Sequence, residues 1–125
     1  MYVKTFKEIS KDMTQDCGGK ASHLGELTHL GLNVPPGYTV LWNAYYRHIE
    51  ANGLTEKIRS IVSTINFDNY EDAETKTQKI RDLIIAAPMP SEIEEEIVKY
   101  YGMLPGEKDP FVAVRSSVAI RDSTI

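Results

Sequence analysis

The strand-forming segments of this chain lie near its two ends, and helical periodicity dominates the residues between them. The segment "YVKTF" alternates near the start, "GYTVLW" follows two prolines, and "FVAVRSS" comes close to the end. In the intervening sequence, apolar residues recur every three or four positions, as on one face of a helix. We therefore expect an α+β fold, with three short strands in a small sheet and about five helices, rather than a regular βαβ alternation.

Glycine, proline and capping residues set the predicted helix boundaries. The first helix should run from Gly19 to about Leu30, with Gly31 in the C′ position that often follows a helix. Ser91 and Glu94 form the S-x-x-E pattern of a capping box, which predicts a helix start. The four later helices are predicted at residues 43–51, 54–65, 73–84 and 91–101. Since no shift in composition marks a linker, we expect residues 1–125 to form one subdomain.

The charge balance excludes one class of partner. A net charge of −4 and a pI near 5.3 argue against a mainly electrostatic nucleic-acid binder, which would be basic. Residues 51–125 carry nine basic and thirteen acidic side chains, whereas residues 1–50 carry five of each. An anionic ligand would therefore be better tolerated in the first part of the chain.

Cysteine content and hydropathy bear on location. The single cysteine, Cys17, excludes an internal disulfide and fits a reducing compartment such as the cytoplasm. The first residues lack the apolar core of a signal peptide, and no run of about 18 apolar residues is present. We therefore expect a cytoplasmic protein without a membrane span.

The stretch "CGGKAS" suggests a phosphate-binding loop but does not have the spacing of a P-loop. In the pattern G-x-x-x-x-G-K-[ST], the first glycine would fall at Thr14 and the residue after the lysine at Ala21. Two required positions therefore fail. Glycines before a helix still allow close backbone approach, and a helix N-terminus offers free N–H groups to an anion.

The helical wheel gives Lys20 an unusual position. At 100° per residue, Lys20 projects between Leu24 and Leu27, in line with the apolar stripe, whereas Ser22 and Glu26 lie on the opposite, solvated side. A lysine aimed along this stripe fits an anion site at the helix start. The alternative is a lysine whose aliphatic part covers the edge of the core while its charge reaches water.

In "FVAVRSS", Arg115 ends an otherwise apolar strand, so its guanidinium should emerge at the mouth of a buried sheet. A charge in that position needs a partner, which is either a carboxylate or a phosphate. From the residues alone, an ion pair with a carboxylate is the simpler interpretation.

The remaining reactive side chains form no catalytic or metal-binding pattern. The spacing of His23, His29 and His48 does not fit a metal site. Cys17 precedes the predicted helix, a position that lowers a thiol pKa, but no nucleophile pattern accompanies it.

Together, these segments resemble the start of the phosphoenolpyruvate synthase and pyruvate phosphate dikinase family. The motif "GGKASHLGELTHLGLNVPPGYTV", followed much later by "FVAVRSS", is similar to that family in order and distance. The resemblance extends from Met1 to about Asp122 and implies the first subdomain of an ATP-grasp nucleotide-binding domain. It also implies ATP and Mg²⁺ as cofactors.

The resemblance assigns roles to two residues, and three of their neighbours are further candidates. The family's motif lysine and arginine contact the ATP phosphates, and these positions correspond to Lys20 and Arg115 here. Gly18, Gly19 and Ser116 adjoin them and are expected as further ATP contacts. The full-length enzyme would phosphorylate a histidine from ATP and then transfer the phosphoryl group to pyruvate.

The chain also departs from the family pattern. Many members follow "VRSS" with "AT-E-D", whereas this chain continues from Val118 through Ile120 to Asp122. Family members then add a glycine loop, a second ATP-grasp half with the magnesium ligands, a phosphohistidine domain and often a pyruvate-binding barrel. These 125 residues contain none of them. We therefore expect no catalytic or metal-binding residue here, and no activity from this stretch alone.

Two alternatives remain open. In the first, the chain belongs to a related phosphotransferase with another acceptor, such as rifampin, which shares the same front end. In the second, it is a stand-alone, non-catalytic binding or interaction module. If the chain is a truncated subdomain, its exposed cleft face favours self-association.

Overall fold

The computed structural model describes residues 1–118, and within them it confirms an α+β fold with five helices and a small sheet. The strands are β1 (Val3–Thr5) and β2 (Tyr38–Val40). The helices are α1 (Thr14–His29), α2 (Trp42–Ala51), α3 (Thr55–Ser63), α4 (Tyr70–Ala86) and α5 (Ser91–Gly102). Two short 3₁₀ turns, Phe6–Glu8 and Lys11–Met13, connect β1 to α1.

The chain forms two compact units. The first comprises Met1–Ala44 and the segment from Ser91 onward, and it contains the sheet, α1 and α5. The second comprises Tyr45–Pro90 and contains α3, α4 and most of α2. The expectation that residues 1–125 make up one subdomain stays a prediction.

The sheet of the first unit is a single antiparallel pair, with Val3 opposite Val40. A carboxylate from α5 holds the start of β1. Glu96 Oε2 accepts hydrogen bonds from the backbone N–H groups of Tyr2 at 2.7 Å and Val3 at 2.9 Å. Because ionised acceptors make the stronger hydrogen bonds, this pair fixes α5 to a strand more than ninety residues earlier.

Small residues of α1 face the core, which corrects the predicted orientation of this helix. Ser22, expected on the solvated side, is fully buried, whereas Leu27 is 38% exposed and Leu30 is 69% exposed. The reason is a close approach of backbones, because a Cβ added at Gly25 would lie 2.4 Å from the carbonyl oxygen of Ile9. Only small side chains fit there, so the leucines lie toward the surface. The core cluster consists of Ile9, Cys17, Ala21 and Leu41, with Phe6 and Met13 packed against it.

The end of α1 was predicted correctly from Gly31, which has a φ of +78°. The Gly31 N–H donates to the carbonyl of Thr28 at 3.1 Å, and the Leu32 N–H donates to that of Leu27 at 3.1 Å. These two bonds form the Schellman motif that stops many helices. The start differs from the prediction, since a first helical turn at Thr14 precedes the glycine pair.

The prediction of a buried strand at "FVAVRSS" was wrong. Residues 111–118 have no regular secondary structure and are all exposed; the Phe111 side chain is fully exposed and Val114 is 91% exposed. A strand needs a neighbour for its backbone N–H and C=O groups, and the described sheet pairs only β1 with β2. The predicted departure from the family pattern at residues 119–122 lies outside the described residues.

In the second unit, α4 begins three residues earlier than predicted because Asn69 caps it. The Asn69 side chain accepts a hydrogen bond from the Asp72 N–H at 3.2 Å, as expected of an N-cap. Lys76 then joins α4 to the end of α3, since its Nζ donates to the carbonyl of Thr64 at 2.6 Å. Ile49 and Leu54 are the buried apolar residues of this unit.

Candidate functional site

The site is centred on a break in α1 at Gly18. This residue has φ +80° and ψ 164°, whereas the residues on both sides are helical. Such a backbone conformation is essentially restricted to glycine, because a Cβ would clash with the main chain. The helix restarts at Gly19, so Lys20 projects from the first turn of the restarted helix. A restart of this kind leaves its first N–H groups without carbonyl acceptors in the previous turn.

The distant "VRSS" segment contacts this break. Ser117 Oγ donates a hydrogen bond of 2.6 Å to the carbonyl oxygen of Cys17, a hundred residues earlier. A Cβ built on Gly18 would lie 2.8 Å from Ser117 Oγ and 2.8 Å from the carbonyl oxygen of Val118. The fold therefore brings together the glycine-lysine motif and the arginine motif, which lie far apart in the sequence.

The predicted site residues differ in their surroundings. Gly18 is buried at the contact, while a Cβ on Gly19 would meet nothing within 4 Å. Lys20, Arg115 and Ser116 are exposed. Neither Lys20 nor Arg115 forms an ion pair with any other residue between positions 1 and 118. The carboxylate partner considered for Arg115 is therefore not found in the described part of the chain.

Two hydroxyl groups stabilise the break, that of the buried Ser22 and that of the exposed Thr14. The buried Ser22 donates to the carbonyl of Gly19 at 3.0 Å, and its oxygen lies 3.2 Å from that of Thr14. Thr14 in turn donates to the carbonyl of Lys11 at 3.1 Å. These bonds fix the turn that carries Lys20. Neither Ser22 nor Ser117 was predicted from the sequence as a site residue, although Ser22 belongs to the stretch "CGGKAS" and Ser117 to "VRSS".

Cys17 is a structural residue of this region. The residue is 1% exposed, and its thiol donates to the carbonyl of Met13 at 3.1 Å. Burial raises the pKa of the Cys17 thiol, and the nearby charge of Asp16 raises it further. The lowered pKa considered from its position before a helix was therefore wrong, because burial outweighs the helix start. A protonated, buried thiol does not act as a nucleophile.

Two of the histidines, His29 and His48, make structural contacts. His29 Nε2 lies 2.8 Å from the carbonyl oxygen of Lys7, and His48 Nε2 lies 2.9 Å from that of Ile84. Within residues 1–118, no group of three or more His, Cys, Asp or Glu side chains is arranged to hold a metal ion. Over the same residues, no helix is long and apolar enough to cross a membrane.

Comparison with known families decides the assignment. Residues 14–124 match the family described as "Pyruvate phosphate dikinase, AMP/ATP-binding domain", a range that includes both the Gly18 break and the Arg115 segment. The chain belongs to this family. The resemblance seen in the sequence is thereby confirmed.

Curated relatives of this pyruvate phosphate dikinase family member are named as enzymes. The chain is 39% identical to a probable phosphoenolpyruvate synthase of Staphylothermus marinus over 97% of its length. It is 40% and 38% identical to the phosphoenolpyruvate synthases of Aeropyrum pernix and Aquifex aeolicus, in each case over 92% of its length. The chain spans only 14–15% of the length of these three relatives.

Proposed function

We propose that this chain is the first part of the ATP-binding domain of a phosphoenolpyruvate synthase-type phosphotransferase, and that Lys20 and Arg115 contact the ATP phosphates. The observation that carries the proposal is the contact between Ser117 and Cys17, which joins the two cation-bearing segments. Both cations are exposed and lack an ion-pair partner within residues 1–118. Two unpaired cations on adjoining segments suit a polyanion.

The residues of the site complement each other chemically. The Lys20 ammonium supplies a compact charge, whereas the Arg115 guanidinium presents a planar fork that binds two phosphate oxygens. Gly18 and Gly19 allow phosphate oxygens to approach the backbone, and the exposed Ser116 hydroxyl adds a donor. Phosphoryl transfer depends on positioning and on neutralising charge on the phosphate oxygens, and fixed cations do both.

Magnesium would be held elsewhere in the full-length protein. The side chains that we propose as ATP contacts are cationic or neutral, whereas Mg²⁺ prefers carboxylate and phosphate oxygens. We therefore assign its protein ligands to a second, ATP-grasp half beyond these residues. Mg²⁺ would balance charge on the ATP phosphates when bound.

The proposed reaction of the full-length protein also needs residues outside this chain. ATP would phosphorylate a histidine, and the phosphohistidine would then transfer its phosphoryl group to pyruvate, with water or inorganic phosphate as co-substrate. The names of the relatives support pyruvate as the acceptor over rifampin. Because the chain covers so little of those relatives, we expect it to be inactive alone and to bind ATP weakly.

Titration with ATP and Mg²⁺ tests the phosphate contacts. Lys20→Ala and Arg115→Ala should each weaken ATP binding by about tenfold or more, because hydrogen bonds to charged groups contribute about 1.5–3 kcal/mol. Isothermal titration calorimetry would measure this for the full-length product of the coding sequence, and NMR titration would measure it for the chain itself. Lys57→Ala and Arg59→Ala remove exposed cations in the second unit and serve as matched controls.

If the Lys20 and Arg115 variants bind ATP as tightly as the two controls, the proposed site is wrong. A stand-alone interaction module is the second candidate, and the exposed residues 111–118 favour it. A stop codon directly after Ile125 would support that module, whereas an in-frame continuation with a glycine loop would support the enzyme.

A further inference from the structure

Ser117 is not among the residues proposed to contact ATP, yet it forms the bond that joins the two motifs. Its hydroxyl donates to the Cys17 carbonyl at 2.6 Å. Cys17 belongs to the core cluster, and its own thiol is bonded to the Met13 carbonyl at 3.1 Å. Ser117 is therefore attached to one of the most firmly held parts of the first unit.

The segment that carries Arg115 has few other attachments. It has no regular secondary structure, and its far end is held by the Tyr101 hydroxyl, which donates to the Pro110 carbonyl at 2.8 Å. Residues 111–116, between these two attachments, are exposed. Ser117 is the nearer attachment, only two positions from Arg115. The place of the guanidinium therefore depends mainly on the Ser117 bond.

The geometry of Gly18 makes this attachment possible. With a Cβ at Gly18 only 2.8 Å from Ser117 Oγ, any larger residue would push the segment away. Lys20 follows two residues later, in the restarted helix. One hydrogen bond thus fixes the Arg115 segment relative to the turn that presents Lys20.

We infer that Ser117 is a positioning residue, which holds Arg115 beside the Gly18 break so that both cations meet the same phosphate group or chain of phosphates. This inference rests on the proposed function. Ser117 acts through Arg115, because its one hydroxyl proton is donated to the Cys17 carbonyl. Because the segment is already held in place, ATP binding does not have to include the entropic cost of ordering an exposed arginine.

Limited proteolysis by trypsin tests the attachment of Ser117 to Cys17 in the absence of ATP. Cleavage after Arg115 should be several-fold faster in Ser117→Ala than in the unchanged chain, because the released segment adapts more easily to the protease. Ser117→Thr keeps the hydroxyl and should restore slow cleavage. Each cleavage rate is divided by the rate for the same variant unfolded in urea. This ratio corrects for any effect of the substitution on how well trypsin recognises the sequence around Arg115. Ser63→Ala, which removes a local bond of 2.7 Å to the Ser60 carbonyl, is the matched control.

A double-mutant cycle then separates positioning from direct contact. Ser117→Ala should weaken binding of ATP with Mg²⁺ by about fivefold, the usual effect of one neutral hydrogen bond. In the Arg115→Ala background, the same substitution should change the ATP affinity by less than about twofold, because the two residues act as one unit. Circular dichroism would verify that each variant is folded.

The outcomes distinguish this inference from the proposed function. Unchanged cleavage in Ser117→Ala overturns the attachment itself. Faster cleavage with unchanged ATP affinity, or an effect that persists without Arg115, overturns the positioning role but leaves Lys20 and Arg115 as phosphate contacts. Faster cleavage of the Ser117→Ala chain, together with no ATP binding by the full-length protein, overturns the proposed function and the positioning role with it.

Discussion

At the residue scale, the two adjacent glycines have different structural requirements. Gly18 combines a positive φ with three atoms of the Ser117–Val118 segment within 3.1 Å of the point that a Cβ would occupy. Gly19 has helical dihedrals and open space around its Cβ position. The sequence shows two equivalent glycines before a lysine, and only the tertiary contact distinguishes them. The pair therefore offers a test in which each residue is the control for the other.

Alanine substitutions at the two glycines should have different effects on the stability of the fold. Gly18→Ala should lower the free energy of unfolding by about 1–3 kcal/mol, because the new side chain meets both backbone strain and the Ser117 segment. Gly19→Ala should leave it unchanged or raise it by about 0.5–1 kcal/mol, because alanine favours a helix over glycine. Urea denaturation followed by circular dichroism would measure both. Equal destabilisation by the two substitutions would contradict the described break at Gly18.

At the element scale, the C-terminal ends of the helices were predicted more accurately than the buried face of α1. Gly31 stops α1 and Pro88 limits α4, because these signals depend on local backbone geometry. The buried face of α1 was predicted wrongly, since hydrophobicity favoured the leucines over Ser22. The decisive contact is between Gly25 and the Ile9 backbone, and a helical wheel contains no information about a neighbouring backbone.

The stability of the connection between α3 and α4 should depend on pH. Asp72 accepts a hydrogen bond from the Asn66 N–H at 2.8 Å and pairs with Lys76 at 2.9 Å. The Asn66 bond, with help from Lys76, lowers the pKa of Asp72 below its usual value. A carboxylate with a lowered pKa stabilises the fold above its unfolded pKa of about 3.9, and this contribution is lost as the pH falls through the folded pKa.

Asp72→Asn should therefore reduce the free energy of unfolding at pH 7 and flatten its decline below about pH 4. The measurement is urea denaturation at a series of pH values between 2 and 7. Asp68→Asn is a suitable control, because Asp68 is exposed and lies in the loop between α3 and α4, just before the helix that carries Asp72. An unchanged pH profile in Asp72→Asn would show that the carboxylate does not anchor this connection.

At the scale of the whole molecule, the sequence predicted the α+β class, five helices and the family correctly. It also identified the two motifs that the fold brings together at Gly18. The third strand was predicted wrongly because a short continuous apolar run indicates a segment suited to a buried sheet, whereas forming a strand requires a neighbour. The described residues supply no such neighbour to residues 111–118. Ser117 was missed for a related reason, since its partner lies a hundred residues away.

The exposed segment leads to a prediction about association. Phe111 and Val114 are almost completely exposed, and they belong to a run with the composition of a buried strand. An apolar segment with unpaired backbone groups favours pairing with another chain. We therefore expect the 125-residue chain to self-associate through residues 111–118. The measurement is sedimentation velocity, in which the sedimentation coefficient should rise with protein concentration.

Substitutions at these two positions test where the association occurs. Phe111→Ser and Val114→Ser should each shift the association to higher concentration, because they remove apolar surface that a second copy would bury. Ile85→Ser removes a similarly exposed apolar side chain, at 79% exposure, from the second unit and should leave the association unchanged. Equal effects of all three would indicate non-specific association. In a full-length protein that extends past Ile125, the same segment should be protected from hydrogen exchange, because the additional chain would supply the missing neighbour.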